Sequence, residues 1–390
     1  MTANFEIRRG LPEERDALLS FLNEAFGYPD VNGVEFSTFL PKLYDPEHDP
    51  CGHNLLAVRD GEIIGAVGIY ERDFKVGDMT LHSYGIGNVA CRADARGGGV
   101  MTTLMRRVIA DMTSSGADFS DLGGRRHRYG HFGYESAGLN YTFTIRRDAM
   151  RHIGADVKTD VTAVYVTPSD TSTIDSMYEF FASQPFHAVR PRDVFYKIIT
   201  TWYGKPIAFI RGGDFLGYVI LRGDSYTELI LRDAADFASI IKAIFDLNKQ
   251  VEKIELSIPP YDAAILNEAY RFMDYMSTRH CEQINIFNFS RFVDAFLRLK
   301  ASIEPLPDGE SSFIINGEHR TEAFHISVKE GVPFVEPLST STDTLKAIHL
   351  SHNEAISFFT GILSPARSQA PLHVKAWFPL PVYIPYADHV

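Results

Sequence analysis

The sequence predicts a mixed α/β (α+β) protein built of three domains. The chain has 390 residues, whereas a typical single domain has ~150. Segments with strand-like and helix-like spacing of apolar residues alternate along the chain. This alternation starts again near residue 150 and changes character near Cys281. We therefore expect domains at residues 1–150, 151–282 and 283–390.

The first predicted domain alternates strands with two helices. Asp60 and Gly61 separate two strand-like runs, and this dipeptide is a strong signal for a tight hairpin turn. Leu18 and Leu22 stand at helical spacing in a segment whose charged residues face the other way. We expect helices at residues 12–26 and 100–114, and strands at residues 5–8, 54–59, 62–70, 79–91, 119–122 and 139–145.

The rest of the chain repeats this alternation and then departs from it. Between residues 151 and 282 we expect strands at 161–166, 206–210, 215–221, 226–231 and 251–258, and helices at 173–182 and 235–248. Beyond residue 283 we expect a helix at 289–299, strands at 311–315 and 323–329, and mostly helical chain over 342–350 and 351–361. Residues 377–390 carry three prolines among aromatic side chains. They are therefore expected to lie extended against the protein.

The composition restricts the class of protein and of partner. Hydrophobic residues make up 45% and charged residues 23% of the chain, which is ordinary for a folded globular protein and excludes pervasive disorder. Acidic residues outnumber basic ones by 50 to 38, which gives a formal net charge of −12. This charge opposes a general nucleic-acid binder and is compatible with a cationic substrate.

The cysteines and the apolar segments indicate the compartment. Cys51, Cys91 and Cys281 are odd in number and widely spaced, so neither a disulfide framework nor a CxxC metal site is expected. The first residues show no apolar signal segment, and the apolar runs are shorter than a membrane span requires. These features predict a cytoplasmic location without a membrane.

A glycine-rich turn is the most informative segment. Gly97, Gly98 and Gly99 follow a predicted strand and precede a predicted helix. Glycines there permit close approach to a ligand, and the unpaired amides that open the helix suit a pyrophosphate. Val100 and Met101 stand where a P-loop needs Lys and Ser or Thr, and the third glycine of a dinucleotide fingerprint is missing. A plain strand-to-helix connection stays open as an alternative.

Two motifs resemble those of the GCN5-related N-acetyltransferases (GNATs). Arg96, Gly99 and Met101 occupy the positions of the Arg/Gln-x-x-Gly-x-Gly/Ala pyrophosphate loop, with Met101 departing from it. Tyr129, Gly133 and Tyr134 match the family's Tyr-x-x-x-Gly-Tyr/Phe signature. Nearly the whole chain resembles the Eis-like branch of this family. The resemblance implies tandem GNAT-like mixed-sheet domains, catalytic at 1–150 and degenerate at 151–282, followed by a sterol-carrier-protein-like domain.

The resemblance also implies a set of site residues and a co-substrate. Acetyl-CoA is the implied co-substrate, and no metal is expected. Tyr129 takes the place of the proton donor and the carboxylate of Val390 that of the proton acceptor, although the family often ends in an aromatic residue. Ala93 departs from a frequent family proline. The implied cofactor-binding residues are Val89, Ala90 and Cys91 for the pantetheine arm, with Arg96, Gly97, Gly98, Gly99, Val100, Met101 and Thr102 around the pyrophosphate.

The chemistry of acyl transfer fits these residue types. Transfer from a thioester to an amine needs a deprotonated amine, a stabilised oxyanion and a proton for the thiolate. A tyrosine hydroxyl, with a pKa near ~10, suits the last task. Asp388, His389 or a water chain compete with the Val390 carboxylate as base, and residues 377–390 could instead serve only as packing. Direct transfer needs no acyl-enzyme, so Cys91 is expected to be a packing residue.

Two classes of function follow. The first is an acetyl-CoA-dependent N-acetyltransferase that acts on a cationic small molecule, aminoglycoside- or polyamine-like, or on lysine. The second is a non-catalytic acyl-CoA or lipid-binding protein. A homo-oligomer is compatible with either. His349 and His352 are expected on an ordinary helix face rather than at a metal, and Arg125, Arg126 and Arg128 are expected on a solvated surface rather than at the coenzyme A 3′-phosphate.

Overall fold

The computed structural model describes residues 5–28, 35, 37–45, 49–152, 157, 160–317, 321–339 and 347–390. Its strands are β1 (Glu6–Arg9), β2 (Asn54–Arg59), β3 (Glu62–Val76), β4 (Met79–Cys91), β5 (Phe119–Leu122), β6 (Glu135–Ala137), β7 (Asn140–Arg146), β8 (Thr162–Tyr165), β9 (Phe186–Ala188), β10 (Lys205–Arg211), β11 (Asp214–Arg222), β12 (Ser225–Leu231), β13 (Lys253–Ile258), β14 (Tyr275–Arg279), β15 (Glu282–Ile286), β16 (Gly309–Asn316), β17 (Thr321–Lys329), β18 (Val332–Pro337) and β19 (Ile348–Ser351). Its helices are α1 (Arg15–Phe26), α2 (Pro41–Tyr44), α3 (Val100–Ser114), α4 (Arg126–Tyr129), α5 (Arg147–His152), α6 (Thr171–Ala182), α7 (Phe195–Thr200), α8 (Phe237–Leu247), α9 (Ala263–Phe272), α10 (Phe289–Ile303), α11 (His352–Thr360), α12 (Pro365–Ser368) and α13 (Leu372–Trp377).

The strands form three mixed sheets. The first has the order β1-β2-β3-β4-β5-β15-β6, with β9 added beside β3; the second runs β14-β7-β13-β12-β11-β10-β8, and the third β18-β17-β16-β19. In each sheet antiparallel pairs are joined by a parallel pair: β4 with β5, β12 with β13, and β16 with β19. The predicted α/β (α+β) class of mixed sheets is confirmed.

Two strands cross between the first two sheets. Strand β7 lies in the sequence before residue 150 but pairs with β13 and β14 of the second sheet. Strand β15 begins at Glu282 and inserts between β5 and β6 of the first sheet. The domain bounds at residues 150 and 282 stay predictions, but the hydrogen-bonded sheets do not follow them. This exchange joins the two sheets side by side, and the cleft described below lies between them.

The second sheet repeats a local feature of the first. Between β3 and β4, Asn88 and Val89 oppose the single residue Val67, and Asn88 has φ of +56°. Between β11 and β12, Glu228 and Leu229 likewise oppose one residue, and Glu228 has φ of +52°. Each bulged strand leads to a helix and then to a parallel neighbour. The turn before α8 has no glycine and contains the acidic residues 233 and 236, so it does not suit an anion.

Most predicted elements are confirmed to within a few residues at each end. Asp60 and Gly61 form the predicted hairpin turn, both with positive φ. The expected helical chain at residues 342–350 is wrong where it is described. Ile348–Ser351 is a strand, because it pairs in parallel with β16 while Leu350 packs into the apolar core beneath the third sheet. Consequently His349 lies in this strand and not on a helix. Residues 342–346 lie outside the described residues, as does His319.

The carboxyl-terminal segment is built into the core. Leu380, Val382 and Ile384 are at most 2% exposed and belong to the apolar core between the first sheet, α10 and the third sheet. The expected extended course against the protein is confirmed, with a single 3₁₀ turn at Tyr386–Asp388. The chain end is thereby carried from the third sheet to the cleft between the first two.

Among the described residues, no helix combines the length and the apolar character that crossing a bilayer requires.

Candidate active site

Strands β4 and β5 separate at the centre of the first sheet. Their parallel pairing runs from Ser83 opposite Phe119 to Ile86 opposite Leu122, where β5 ends. Strand β4 continues to Cys91, and the described part of the chain supplies no strand beside residues 87–91 on that side. The backbone of these residues therefore faces an open wedge, in which an extended ligand can take the place of a strand.

A buried polar cluster surrounds the bulge of β4. The Asn88 side-chain amide donates hydrogen bonds to the hydroxyls of Tyr70, at 2.7 Å, and of Tyr44. Burial raises the pKa of both phenols, so both stay protonated at neutral pH. Asparagine tolerates positive φ better than most residues. The cluster thus fixes the conformation that turns the β4 backbone at the wedge.

The glycine-rich turn presents unpaired amides at the start of α3. Gly97 and Gly99 have φ of +79° and +78°, and no heavy atom lies within 4 Å of a Cβ built on either. The first amide of this segment to bond a helix carbonyl is that of Thr103, which donates to Gly99 at 2.9 Å. The amides of residues 99–102 make no hydrogen bond within the described part of the chain. Four free amides at the positive end of a helix dipole are suited to binding an anion.

We expect Gly99→Ala to raise the Kd for coenzyme A about tenfold. Alanine at positive φ costs roughly 1–2 kcal/mol and moves the amides out of line. Isothermal calorimetry measures the Kd. Gly116→Ala is the matched control, because Gly116 follows the other end of α3 with φ of +82° and open space around it. Equal weakening of coenzyme A binding by both variants would contradict an anion site at Gly99.

A cleft of about 780 Å³ opens between the first two sheets beside the wedge. Residues 86–89 of β4 and residues 123–125 after β5 form one wall, and side chains of β7, β12 and β13 form the opposite wall. Tyr129 and Val390, which are 261 positions apart (390 − 129) in the sequence, both line it. The fold therefore brings the Tyr129 phenol and Val390 to one cleft beside the wedge.

Tyr129 is held in one orientation. It ends the short helix α4 and is 5% exposed. Gly124 leaves the space that its ring occupies, since a Cβ there would overlap the ring edge. Burial raises the pKa of the Tyr129 hydroxyl, and Arg128 opposes this in part. The hydroxyl is therefore protonated at neutral pH and able to donate a proton.

A family comparison decides what kind of domain this is. Residues 6–137 match the family model of the acetyltransferase (GNAT) domain. These residues form a GNAT acetyltransferase domain. Such domains use acetyl-CoA and transfer its acyl group. The wedge, the unpaired amides and the buried phenol all lie within or beside the domain at residues 6–137. No curated protein gives a significant match to the chain.

Solved structures share the fold over the full length. A GCN5-related N-acetyltransferase from Kribbella flavida has 17% identity and a TM-score of 0.68, with 99% of this chain and 100% of that chain covered. Eis1 from Mycobacterium abscessus has 17% identity and a TM-score of 0.66, with coverage of 99% and 100%. A GCN5-related N-acetyltransferase from Anabaena variabilis has 14% identity and a TM-score of 0.66, with coverage of 97% and 98%. The predicted Eis-like resemblance is confirmed at the level of fold.

The predicted cofactor residues of the acetyltransferase domain fall into two groups. Val89 lines the cleft, whereas Ala90 packs into the core below the sheet and Cys91 is half-buried against α3. Any contact of Ala90 and Cys91 with a ligand would therefore be made by the backbone at the wedge. The second group surrounds the anion site, where Val100 is buried and the others are exposed or partly exposed: Arg96, Gly97, Gly98, Gly99, Met101 and Thr102.

The rival bases at the chain end are already paired. Both carboxylate oxygens of Asp388 accept hydrogen bonds from Arg190 at 2.9 Å, and the pair is buried. His389 Nδ1 lies 2.8 Å from a Glu282 carboxylate oxygen. By contrast, the Val390 carboxyl group lies on β4, where its carbon is 2.9 Å from a Cβ built at Gly87.

We expect the His389–Glu282 pair to give a pH-dependent stability. Burial opposes the charge on His389, but attraction to Glu282 and a hydrogen bond outweigh it and raise the pKa of the imidazole above its usual value. This contribution is complete below the unfolded pKa of ~6.5 and is lost as the pH rises through the folded pKa. Urea unfolding at pH 5.5 and pH 9 measures the loss.

The variant Glu282→Gln provides the comparison. Without the carboxylate, the main attraction that raises the pKa of His389 is removed while burial still opposes its charge, so the difference in free energy of unfolding between the two pH values must shrink. An equal difference in the two proteins would mean that other groups cause the pH dependence.

The thiols near the cleft are not activated. Burial raises the pKa of Cys281, which lines the cleft, to about 12, and raises the pKa of Cys91 as well. Both are protonated at neutral pH and are weak nucleophiles. This agrees with the prediction that Cys91 is a packing residue. Within the described residues, no cluster of three or more His, Cys, Asp or Glu side chains is arranged to hold a metal.

The arginines after β5 have separate environments. Arg126 forms an ion pair with the buried Glu135, whereas Arg125 and Arg128 line the cleft. All three arginines are exposed, so the expected solvated surface is confirmed, although two of them also border the cleft. His352 is also not on a free helix face, because its Nε2 lies 2.7 Å from the Asn285 side-chain oxygen.

Sequence reasoning missed the wall supplied by the second sheet. Alternate residues on its strands face the cleft, and their charges are mixed rather than uniformly acidic. Arg222 is 8% exposed and donates to the Ile199 carbonyl at 2.9 Å. Polar residues recur at every second position on strands 140–146, 225–231 and 253–258, and this alternation could have indicated a polar wall. The other residues of this wall are Asn140, Thr142, Ser225, Thr227, Glu255, Ser257 and Arg279.

Proposed function

We propose that the chain transfers the acetyl group of acetyl-CoA directly to a primary amine. The acceptor is a cationic small molecule, aminoglycoside- or polyamine-like, or a lysine side chain. The observation that carries the proposal is the meeting of the β4 wedge, Tyr129 and Val390 at one cleft. Acyl transfer itself is the chemistry of the GNAT domain at residues 6–137.

Each part of the reaction has a group suited to it. The free amides of residues 99–102 bind the diphosphate, and the backbone at Val89, Ala90 and Cys91 serves the pantetheine arm and the thioester oxygen. The amine nitrogen attacks the thioester carbon, and the carboxylate of Val390 accepts the amine proton. As the carbon–sulfur bond breaks, the Tyr129 hydroxyl gives its proton to the departing thiolate.

An amine panel tests this function. The protein is incubated with acetyl-CoA and, separately, a polyamine, an amino sugar and a lysine-containing peptide, and the release of free thiol is followed. We expect at least one amine to raise thiol release above the amine-free rate. Release that stays at the amine-free rate for every amine, while calorimetry shows bound coenzyme A, would favour the non-catalytic binding protein instead.

Three further expectations stay predictions. They are the sterol-carrier-protein-like fold of residues 283–390, assembly into a homo-oligomer and the cytoplasmic location.

A further inference from the structure

One guanidinium in the wall of the cleft lacks partners for two of its nitrogen atoms. Arg222, the last residue of β11, lines the cleft and is 8% exposed. Its Nη2 donates to the carbonyl oxygen of Ile199 at 2.9 Å, whereas its Nε and Nη1 have no hydrogen-bond partner among the described residues. A buried donor that stays unpaired costs free energy, so such a group in a cleft indicates that a ligand completes its hydrogen bonds.

The acidic groups around Arg222 are bound to another arginine. Glu228 and Asp388 attract the guanidinium of Arg222. Both carboxylates, however, accept their hydrogen bonds from Arg190. The Arg222 guanidinium instead lies over the ring of Tyr386, 5.2 Å from its centroid. Burial lowers the pKa of Arg222 to about 10, so the side chain is still a cation at neutral pH.

The other charges of the cleft favour an anionic group on the ligand. Apart from the carboxyl group of Val390, its acidic side chains are Glu255 and Glu282. Glu255 pairs with Lys253 at 3.1 Å, and Glu282 pairs with His389 at 2.8 Å. Further arginines line the cleft and form no ion pair within the described residues: Arg125, Arg128 and Arg279. These cations repel a ligand that carries only positive charge and attract one that also carries an acid group.

We propose that Arg222 is a specificity-determining residue that binds a carboxylate on the acyl acceptor. The acceptor is then a small amine that also bears an acid group, as an amino acid does. A guanidinium recognises a carboxylate through charge-assisted hydrogen bonds. This assignment to the acceptor rests on the proposed function, whereas carboxylate binding itself does not. Among the proposed acceptors it selects free lysine over polyamines and amino sugars, which carry no acid group.

Matched acids and amides test the carboxylate site. Glycine, β-alanine, longer ω-amino acids and lysine are each compared with the corresponding amide. Calorimetry in the presence of coenzyme A measures binding, and thiol release from acetyl-CoA measures turnover. We expect at least one acid to have a Kd and a kcat/KM about tenfold or more better than its amide. In Arg222→Met we expect this advantage to vanish, while the values for the amide stay within about twofold.

Arg232→Met is the matched control. Arg232 also lies over an aromatic ring, that of Phe180 at 5.6 Å, but it is exposed and does not line the cleft. We expect this variant to keep the full preference for the acid. Arg222→Lys keeps the charge without the planar fork, so we expect it to restore part of the preference.

The outcomes separate the site from the reaction. Tighter binding of acids without thiol release would remove the transfer reaction and keep the carboxylate site. Thiol release from acids and amides alike would keep the reaction and overturn the site, and so would the absence of an acid preference in binding. If Arg222→Met raises the Kd for coenzyme A but not for dephospho-coenzyme A, Arg222 binds the 3′-phosphate, and its role toward the acceptor is overturned.

Stability gives a readout that a structural role would move. Because Nε and Nη1 have no partner among the described residues, methionine at position 222 removes a buried charge and breaks only the hydrogen bond to Ile199. We expect the urea midpoint of Arg222→Met to stay near that of the unchanged protein. A midpoint lowered as far as that of Arg190→Met, which breaks two buried ion pairs, would make Arg222 a structural residue and overturn the proposal.

Discussion

Replacing Tyr129 by phenylalanine is expected to lower kcat by roughly 10²–10³-fold, the usual worth of a positioned general acid. The phenylalanine ring fills the same buried space beside Gly124, so the fold and the cleft are retained. Only the proton for the departing thiolate is lost. The Kd for coenzyme A, measured by calorimetry, should therefore stay within twofold of the original value, an order-of-magnitude bound.

Tyr270→Phe is the matched control for this prediction. Tyr270 lies on α9 with 67% of its surface exposed, far from the cleft lining. We expect Tyr270→Phe to have the same kcat as the unchanged protein. If Tyr129→Phe shows a kcat equal to that of Tyr270→Phe, the thiolate takes its proton from another group or from water.

Replacing Arg190 by methionine is expected to lower the free energy of unfolding by about 3–5 kcal/mol. Arg190 is 3% exposed and bridges two buried carboxylates, Glu228 at 2.8 Å and Asp388 at 2.9 Å. Removing the guanidinium leaves both carboxylates buried without their cation. Urea unfolding at neutral pH measures the change. Because Asp388 fixes the chain end, activity should fall as well.

The neighbouring Arg192 gives the comparison. It forms an ion pair with Asp175 on the surface, with about half of each side chain exposed. Solvent screens such a pair, so Arg192→Met should change the free energy of unfolding little. Equal destabilisation by the two variants would show that the buried ion pairs of Arg190 do not stabilise the fold.

Features encoded within a short stretch of sequence were predictable. The glycine-rich turn at residues 96–99 and the signature at residues 129–134 are continuous motifs, and their local geometry follows from positive φ and helix capping. Helix α3 was placed with both ends correct, because its apolar residues keep one face over four turns. Tyr129 could be named for the same reason, since the motif that carries it is local.

Features that depend on distant parts of the chain were not predictable. Strand β15 enters the first sheet between β5 and β6, and no residue of β15 signals that partner. The pairing of Arg190 with Asp388 joins positions 198 residues apart. From the sequence alone, Gly85 and Gly87 would be expected only to weaken β4, because the sequence does not show that Val390 packs against them. Periodicity reports which face of an element is buried, but not what covers it.

The most direct measurement is a crystal structure of the protein with coenzyme A. We predict that the pyrophosphate contacts the amides of residues 99–102, that the pantetheine arm lies along residues 87–91 of β4, and that the sulfur is within hydrogen-bond distance of the Tyr129 hydroxyl. A complex in which the ligand leaves this helix terminus empty, or in which the sulfur lies away from Tyr129, would contradict the proposed reaction.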